Sequence, residues 1–196
     1  MTKPDPTTET YDQFAAQIAE RFWETDLTHI WEEFCDFIPN QWGILDVGCG
    51  PGRDAAQFRA RGFRVVGMDL SFGMLLEAAR RAPGNYIAAD MTAMPFNSFS
   101  FDAAWANASL LHLPRRAAPG VLAWIHTLLQ PGGVLYLSLK QGEGEIWEER
   151  EGRRFFTFYQ TDEIIQLLEK AGFNLLKIWT EPAESVNWLN TFSKKS

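Results

Sequence analysis

The 196-residue chain predicts an α/β protein: an open, mostly parallel sheet with helices on both faces. Three observations carry that prediction. From residue 44 onward, short apolar runs alternate with segments of helical periodicity, and glycine or proline marks many of the junctions. Such alternation is how strands joined by crossover helices read in sequence. The length fits one domain, at roughly 100–200 residues each, and no linker or fixed-period repeat divides it. Apolar residues make up 46% and charged residues 22%, the balance of a globular chain rather than a disordered, collagenous or coiled-coil one.

Two helices precede the alternation. Tyr11, Phe14, Ala15, Ile18 and Phe22 recur at helical spacing, and so do Ile30, Trp31, Phe34, Phe37 and Ile38 before Pro39 ends the run. Ile44–Val47 is the first strand. Asp54–Arg61 is a helix closed by Gly62, and Arg64–Leu70 the second strand. Ser71 caps a helix that turns Met74, Leu75, Ala78 and Ala82 to one side, Pro83-Gly84 breaks it, and Asn85–Ala89 is the third strand. Phe101–Ala106 is the fourth. Ala117–Leu129 is a helix that tolerates Pro119 only in its first turn. Pro131-Gly132-Gly133 is a turn before the fifth strand, Val134–Leu139. Gln141–Arg154 is the longest irregular piece. Thr161 is expected to cap a helix with Asp162 and Glu163 in its first turn, Gly172 ends it, and Leu175–Thr180 and Trp188–Phe192 are the last strands.

Composition narrows the function. Lys and Arg number 18 against 25 Asp and Glu, a net charge of −7. A generic nucleic-acid binder draws most of its affinity from neutralised phosphates, so nucleic acid is not the expected partner. Pairs such as Arg80-Arg81 and Arg115-Arg116 read as solvated helix ends and loops. No apolar run approaches the ~18 residues of a membrane span. Met1–Glu9 is polar and lacks the apolar centre of a secretion signal, and Thr2 stands where a myristoylated chain has glycine. Cys35 and Cys49 then read as free thiols in a reducing, cytoplasmic setting. No Cys/His cluster has zinc spacing, so no metal is expected. Eight Trp and fifteen Phe either thicken the core or line an apolar pocket.

Right-handed crossovers bring the loops after the strands' C-terminal ends to one edge, where ligands bind at the point at which strand order reverses. Asp46-Val-Gly48-Cys49-Gly50-Pro51-Gly52 is the first of these loops. Its glycines allow a tight turn and close approach of a ligand to the main chain. A dinucleotide fingerprint needs G-x-G-x-x-G over a helix N-terminus, but Arg53 occupies the third glycine's place. Asp46 would repel a pyrophosphate and attract an ammonium group, so the loop suits a zwitterionic or cationic nucleoside. Asp69 follows Gly48 by 21 residues, about the spacing at which an acid meets a ribose diol; its plainer reading is a helix cap, a place Ser71 fills better. Asp90 ends the third strand, either to accept from an exocyclic amine with Met91 against the purine or to close an Asx turn.

These segments resemble the class I S-adenosylmethionine-dependent methyltransferases, in particular small single-domain bacterial ones. The resemblance rests on Ile44–Ala56 (ILDVGCGPGRDAA), Val65–Leu75 (VVGMDLSFGML), Ala88–Phe96 (AADMTAMPF), Phe101–Leu113 (FDAAWANASLLHL) and Leu129–Lys140 (LQPGGVLYLSLK). It implies a Rossmann-like seven-stranded sheet with the last strand antiparallel, a helical lid at residues 1–39 and a cofactor-binding core at 40–196. It implies that Gly48, Cys49, Gly50 and Gly52 surround the methionine part of S-adenosylmethionine, with Asp46 toward its amino group. Asp69 would hold the ribose, with Leu70 and Met74 nearby, and Asp90 and Met91 the adenine. Asn107 and Arg53 would approach the methionine carboxylate or the sulfonium.

Methyl transfer from a sulfonium asks the protein mainly to position and desolvate, and a general base is optional. The acceptor side is therefore less legible than the cofactor side. His112 could take a proton from the acceptor, or be a structural residue hydrogen-bonded to a nearby carbonyl; the Tyr11 hydroxyl could face the cofactor carboxylate or the acceptor, or its ring merely pack; Tyr159 is as ambiguous. Glu143 and Glu145 could greet a cationic acceptor. Arg153 and Arg154 could receive an acidic one, or pair with those two glutamates. His29 and His126 read as structural or surface residues. The expected function is methyl transfer to a small-molecule acceptor, releasing S-adenosylhomocysteine. The alternatives are a tRNA- or protein-modifying methyltransferase, a non-catalytic S-adenosylmethionine-binding module and, less fitting, an NAD-dependent oxidoreductase.

Overall fold

A computed structural model describes residues 5–39, 41–183 and 186–196. Thr2 and the rest of residues 1–4 lie outside the described residues, as does residue 40, where the core is expected to begin. The elements run α1 (Pro6–Gln13), α2 (Ala15–Glu24), α3 (Thr28–Asp36), β1 (Gly43–Val47), α4 (Arg53–Ala60), β2 (Arg64–Asp69), α5 (Phe72–Arg81), β3 (Asn85–Ala88) and β4 (Phe101–Asn107). They continue with α6 (Ala118–Leu128), β5 (Leu129–Lys140), β6 (Glu145–Glu148), β7 (Arg154–Thr157), α7 (Thr161–Lys170), β8 (Phe173–Pro182) and β9 (Asn187–Lys195). Seven strands form one sheet in the order β3-β2-β1-β4-β5-β9-β8. β9 is antiparallel to both neighbours, while the pairs on the β1 side are parallel. The expected architecture, antiparallel last strand included, is the observed one.

Each face of the sheet carries its own core. On one, α6 and α7 press Val121, Leu122, Ile125, Ile164 and Leu168 against Leu45, Val47, Leu135 and Leu137. On the other, α3 and α4 bring Trp31, Phe34 and Phe58 onto Ile44, Trp105 and Tyr136. Trp105 and Tyr136 stack at a centroid distance of 3.9 Å, and Phe34 and Phe58 meet Trp105 edge-on at 5.1 and 4.9 Å. Much of the aromatic excess therefore thickens this second core, where such pairs contribute beyond their buried area.

Local chemistry explains the helix ends. Ser71 accepts from the Met74 N–H and so caps α5 as expected, and Pro119 sits in the first turn of α6. Other boundaries differ. The single helix expected over Tyr11–Phe22 is two, because Phe14 leaves the helical region (φ −110°, ψ 23°); the apolar spacing runs through the break and hides it. Gln160, not Thr161, precedes the first turn of α7, and the Glu163 carboxylate reaches back to its N–H at 2.8 Å. β5 begins at Leu129 and carries an irregular pairing with β4 through the expected turn. The stretch expected to be irregular holds β6 and runs into β7, its antiparallel partner in a hairpin. Four-residue strands show too few alternations to be read.

Gly67 of β2 stands opposite Tyr86 of β3 and leaves room for its ring. A Cβ at Gly67 would stand 2.7 Å from the Tyr86 ring and 2.9 Å from Cys49 Sγ. Gly67→Ala is expected to lower the unfolding free energy by about 1–3 kcal/mol, the usual cost of overpacking a filled core. Urea denaturation of the two proteins checks this.

Candidate active site

Strand order reverses between β1 and β4, and the loops that follow the two strands diverge there. A cavity of about 660 Å³ opens at this point, a size typical of cofactor sites. The glycine loop after β1 forms part of its wall. Gly48, Gly50 and Gly52 all have positive φ, but they differ in what they face. A Cβ at Gly48 would collide with Ser109 at 2.4 Å and one at Gly52 with the Tyr86 hydroxyl at 2.5 Å, whereas one at Gly50 would meet nothing closer than Phe22 at 3.9 Å. Two of the glycines thus serve packing, and Gly50 offers bare backbone to the cavity.

Three carboxylates surround this loop in three different states. Asp69, at the end of β2, accepts from the Gly50 N–H at 2.8 Å and from the Ser71 N–H at 2.9 Å. It lines the cavity, and burial raises its carboxyl against those two donors. Asp46 is 2% exposed, lies behind the cavity wall, and its Oδ2 has no partner among the described residues. Burial, with the nearby Asp54 charge, pushes its carboxyl well above the ordinary range. Asp54 is the reverse case. Burial alone would raise it, but Arg53 and the side-chain N–H donors prevail and hold it below that range.

Asp54 is the residue that sequence reading missed, taking it only as the start of a helix. Its carboxylate collects the Arg53 Nε at 2.7 Å, the indoles of Trp31 and Trp105 at 3.2 and 2.8 Å, and the Asn107 amide at 3.0 Å. Arg53 and Asn107, both expected to reach toward a ligand, line the cavity but are oriented by this carboxylate. Arg53 also donates to the Phe22 carbonyl at 2.9 Å, and the Trp23 indole donates to Pro51 at 3.3 Å. The end of α2 is thereby fastened over the glycine loop.

Of the remaining expected cofactor residues, Cys49, Leu70, Met74, Asp90 and Met91 line the cavity, and Gly52 does not. Asp90 Oδ1 accepts from both the N–H and the hydroxyl of Thr92 at 2.7 Å. The Asx-type turn therefore forms while the residue still faces the cavity.

α1 spans the other side. Asp12 accepts from the Ser71 hydroxyl and the Gly73 N–H, joining α1 to the start of α5. Thr7 accepts from the Phe155 N–H and Thr10 from the Arg153 N–H, joining it to β7. Between these fastenings Tyr11 meets His112. His112 Nδ1 lies 2.8 Å from the Phe155 carbonyl and Nε2 lies 2.8 Å from the Tyr11 hydroxyl. A carbonyl only accepts, so Nδ1 carries the proton and Nε2 accepts from Tyr11. Burial of these polar ends pushes the imidazole down to about 4 and the phenol up to about 12. The pair is neutral at physiological pH, and both residues line the cavity.

Beyond this pair the cavity runs to Lys140, Glu148, Arg154, Phe156 and Trp188. The expected pairing of Arg153 and Arg154 with Glu143 and Glu145 does not occur: Arg153 pairs with Glu149 and Arg154 with Glu148 across the hairpin. Register decides this, since Glu148 stands directly opposite Arg154. Glu145 instead accepts from the Arg115 N–H. Tyr159 is fully buried under Arg115 and has no place in the cavity wall. His29 pairs with Glu181 at the surface.

The family described as "Methyltransferase domain" matches residues 44–133. The malonyl-[acyl-carrier protein] O-methyltransferase of Salmonella typhimurium is 33% identical over 128 residues, which cover 62% of this chain and 50% of that protein. Among solved structures, a SAM-dependent methyltransferase from Methanosarcina mazei superposes with a TM-score of 0.78 at 19% identity, covering 87% of this chain and 99% of that one. Residues 44–133 are therefore similar to methyltransferase domains, and the fold is the one seen in solved S-adenosylmethionine-dependent methyltransferases. A 1,6-didemethyltoxoflavin-N1-methyltransferase from Burkholderia thailandensis, solved with its acceptor and S-adenosylhomocysteine, shares the fold at a TM-score of 0.78 and 22% identity over 100% of this chain and 92% of that one. The chain spans half or less of the length of the first curated relatives it matches.

Two outcomes are expected from the site's buried groups. Arg53 and Asp54 are 11% and 9% exposed at their side chains. Asp54→Asn strands a buried guanidinium without counter-charge and should cost roughly 3–5 kcal/mol, read from urea unfolding. His112 has an ordinary value of 6.5 and a folded one of about 4. Between these the unfolded chain binds the extra proton, so this group's contribution to stability is complete above 6.5 and lost as pH falls toward 4. Melting temperatures across that window should drop less steeply for His112→Gln than for the parent.

Proposed function

We propose that the chain binds S-adenosylmethionine in the 660 Å³ cavity and transfers its methyl group to a small-molecule acceptor. The observation that carries this reading is one wall in which bare backbone at Gly50, the Asp69 carboxylate and two orphaned polar atoms come together. Those atoms are Asp46 Oδ2 behind the loop and Ser109 Oγ against Gly48. A buried polar atom without a partner costs free energy that a ligand can recover. An ammonium group near the loop would give Asp46 its missing partner and draw the carboxyl back toward ionisation.

The residues fit the cofactor group by group. Asp69 uses one lone pair of each oxygen on backbone N–H donors, and the remaining lone pairs suit a ribose diol. Leu70 and Met74 would border the nucleoside, with Met91 against the purine and the free Asp90 Oδ2 toward its amine. Gly48, Cys49 and Gly50 would surround the methionine part, and Arg53 and Asn107, oriented by Asp54, would face its carboxylate. When bound, S-adenosylmethionine supplies a methyl group that a nucleophile takes from the sulfonium by in-line displacement.

The protein's own task is then to orient the acceptor and exclude water. Tyr11 and His112 are assigned to the acceptor. The neutral imidazole can take a proton relayed through the Tyr11 hydroxyl, a service that an already ionised acceptor does not need. No described helix is long and apolar enough to cross a membrane, and a cytoplasmic setting belongs to the same reading.

Calorimetry with S-adenosylhomocysteine and NADH separates this function from a nicotinamide enzyme. The first is expected to bind and the second not; binding of NADH alone would overturn the proposal. Asp69→Ala should weaken S-adenosylhomocysteine at least tenfold, about 1.4 kcal/mol.

A further inference from the structure

Lys140 and Arg154 leave β5 and β7 at the acceptor end of the cavity and flank one ring. The Lys140 ammonium lies 3.6 Å from the centroid of Phe156, and the Arg154 guanidinium carbon 5.4 Å from it. The same ring lies 4.8 Å from that of His112. Two cations therefore converge beside the Tyr11–His112 pair, both half-buried.

Their neutralisation is incomplete. Among the described residues Glu148 is the one carboxylate paired with Arg154, through Nη2 at a long 3.3 Å. The Arg154 Nε is buried with no partner among the described residues. The other carboxylates in the cavity wall are engaged elsewhere: Asp5 caps α1, Asp26 accepts from the Thr28 N–H, Asp54 holds Arg53 and its indole and amide donors, Asp69 holds backbone N–H groups, Asp90 accepts from Thr92, and Glu181 takes His29 and Trp179. One anion thus serves two cations in a partly desolvated place. Like charges so arranged favour the entry of a further anion.

We infer that Lys140 and Arg154 anchor a carboxylate of the methyl acceptor, so that the substrate is an organic acid with an apolar body. This rests on the methyltransferase reading above. A carboxylate is planar and matches the Nε edge of a guanidinium, while the ammonium supplies a second, freely rotating donor. Phe156, Trp188 and Leu113 line the same end of the cavity and supply the apolar contact.

The test titrates the full chain, saturated with S-adenosylhomocysteine, with matched pairs: phenylacetate against phenylacetamide and octanoate against octanamide. Calorimetry should find each acid at least tenfold tighter than its amide. Lys140→Met and Arg154→Met should each remove most of that preference while S-adenosylhomocysteine affinity stays within twofold, which also reports that the variants fold. If the amides bind as well as the acids, if no acid binds, or if the preference survives both substitutions, the anchor is overturned while the cofactor reading stands. If S-adenosylhomocysteine itself fails to bind the parent chain, the methyltransferase reading falls and this inference with it.

Discussion

The site depends on a single buried charge. Asp54 sits at the N-terminus of α4, where the helix dipole favours an anion, and it accepts four N–H donors from three other side chains and its own neighbour. Those donors come from α3, α4 and β4, so one carboxylate fixes the angle between the helical layer and the central strands. It also decides the state of its surroundings. Burial first, and then the ionised Asp54 nearby, hold Asp46 toward its neutral form. The loop therefore keeps an acid in reserve, whose ionisation is favoured only when a cation arrives.

The fastenings across the cavity are of another kind. Thr7, Thr10 and Asp12 hold α1 by hydrogen bonds to backbone and hydroxyl groups. Each is worth on the order of 1 kcal/mol net, and water can replace them one at a time. Arg21 and Glu151 add an exposed ion pair between α2 and the hairpin turn, a contact of small value in solvent. The core beneath the glycine loop is aromatic and close-packed, whereas the cover is polar and shallow. That difference suits a site whose floor stays fixed while its cover yields to a ligand.

How legible each part was follows from the range of the interactions that build it. The sheet, its parallel pairs and the Ser71 cap rest on local periodicity and local hydrogen bonds, and they stood in the sequence. The glycine turn after β1 and the place of Asp69 at the end of β2 were legible because both are set by spacing along one βα unit. Asp54 was not, because its partners Trp31, Trp105 and Asn107 are distant in the chain and nothing near residue 54 announces them. The hairpin was missed because two four-residue strands carry no period, and with it went the true partners of Arg153 and Arg154. Phe14 broke a helix that its apolar spacing continued.

The acceptor end belongs wholly to the long-range class. Tyr11, His112, Lys140 and Arg154 come from α1, the turn after β4, the end of β5 and β7, and only the folded sheet brings them to one place. The chain as a whole carries a charge of −7, which at a distance repels the acid that Lys140 and Arg154 are proposed to hold. Screening reduces that repulsion beyond a Debye length of about 8 Å at physiological salt. Inside the cavity the local charges prevail, because desolvation strengthens them and screening does not reach them. Selection for an anion at this site is therefore a short-range property, made by two side chains and one ring, and the overall charge of the sequence points the opposite way.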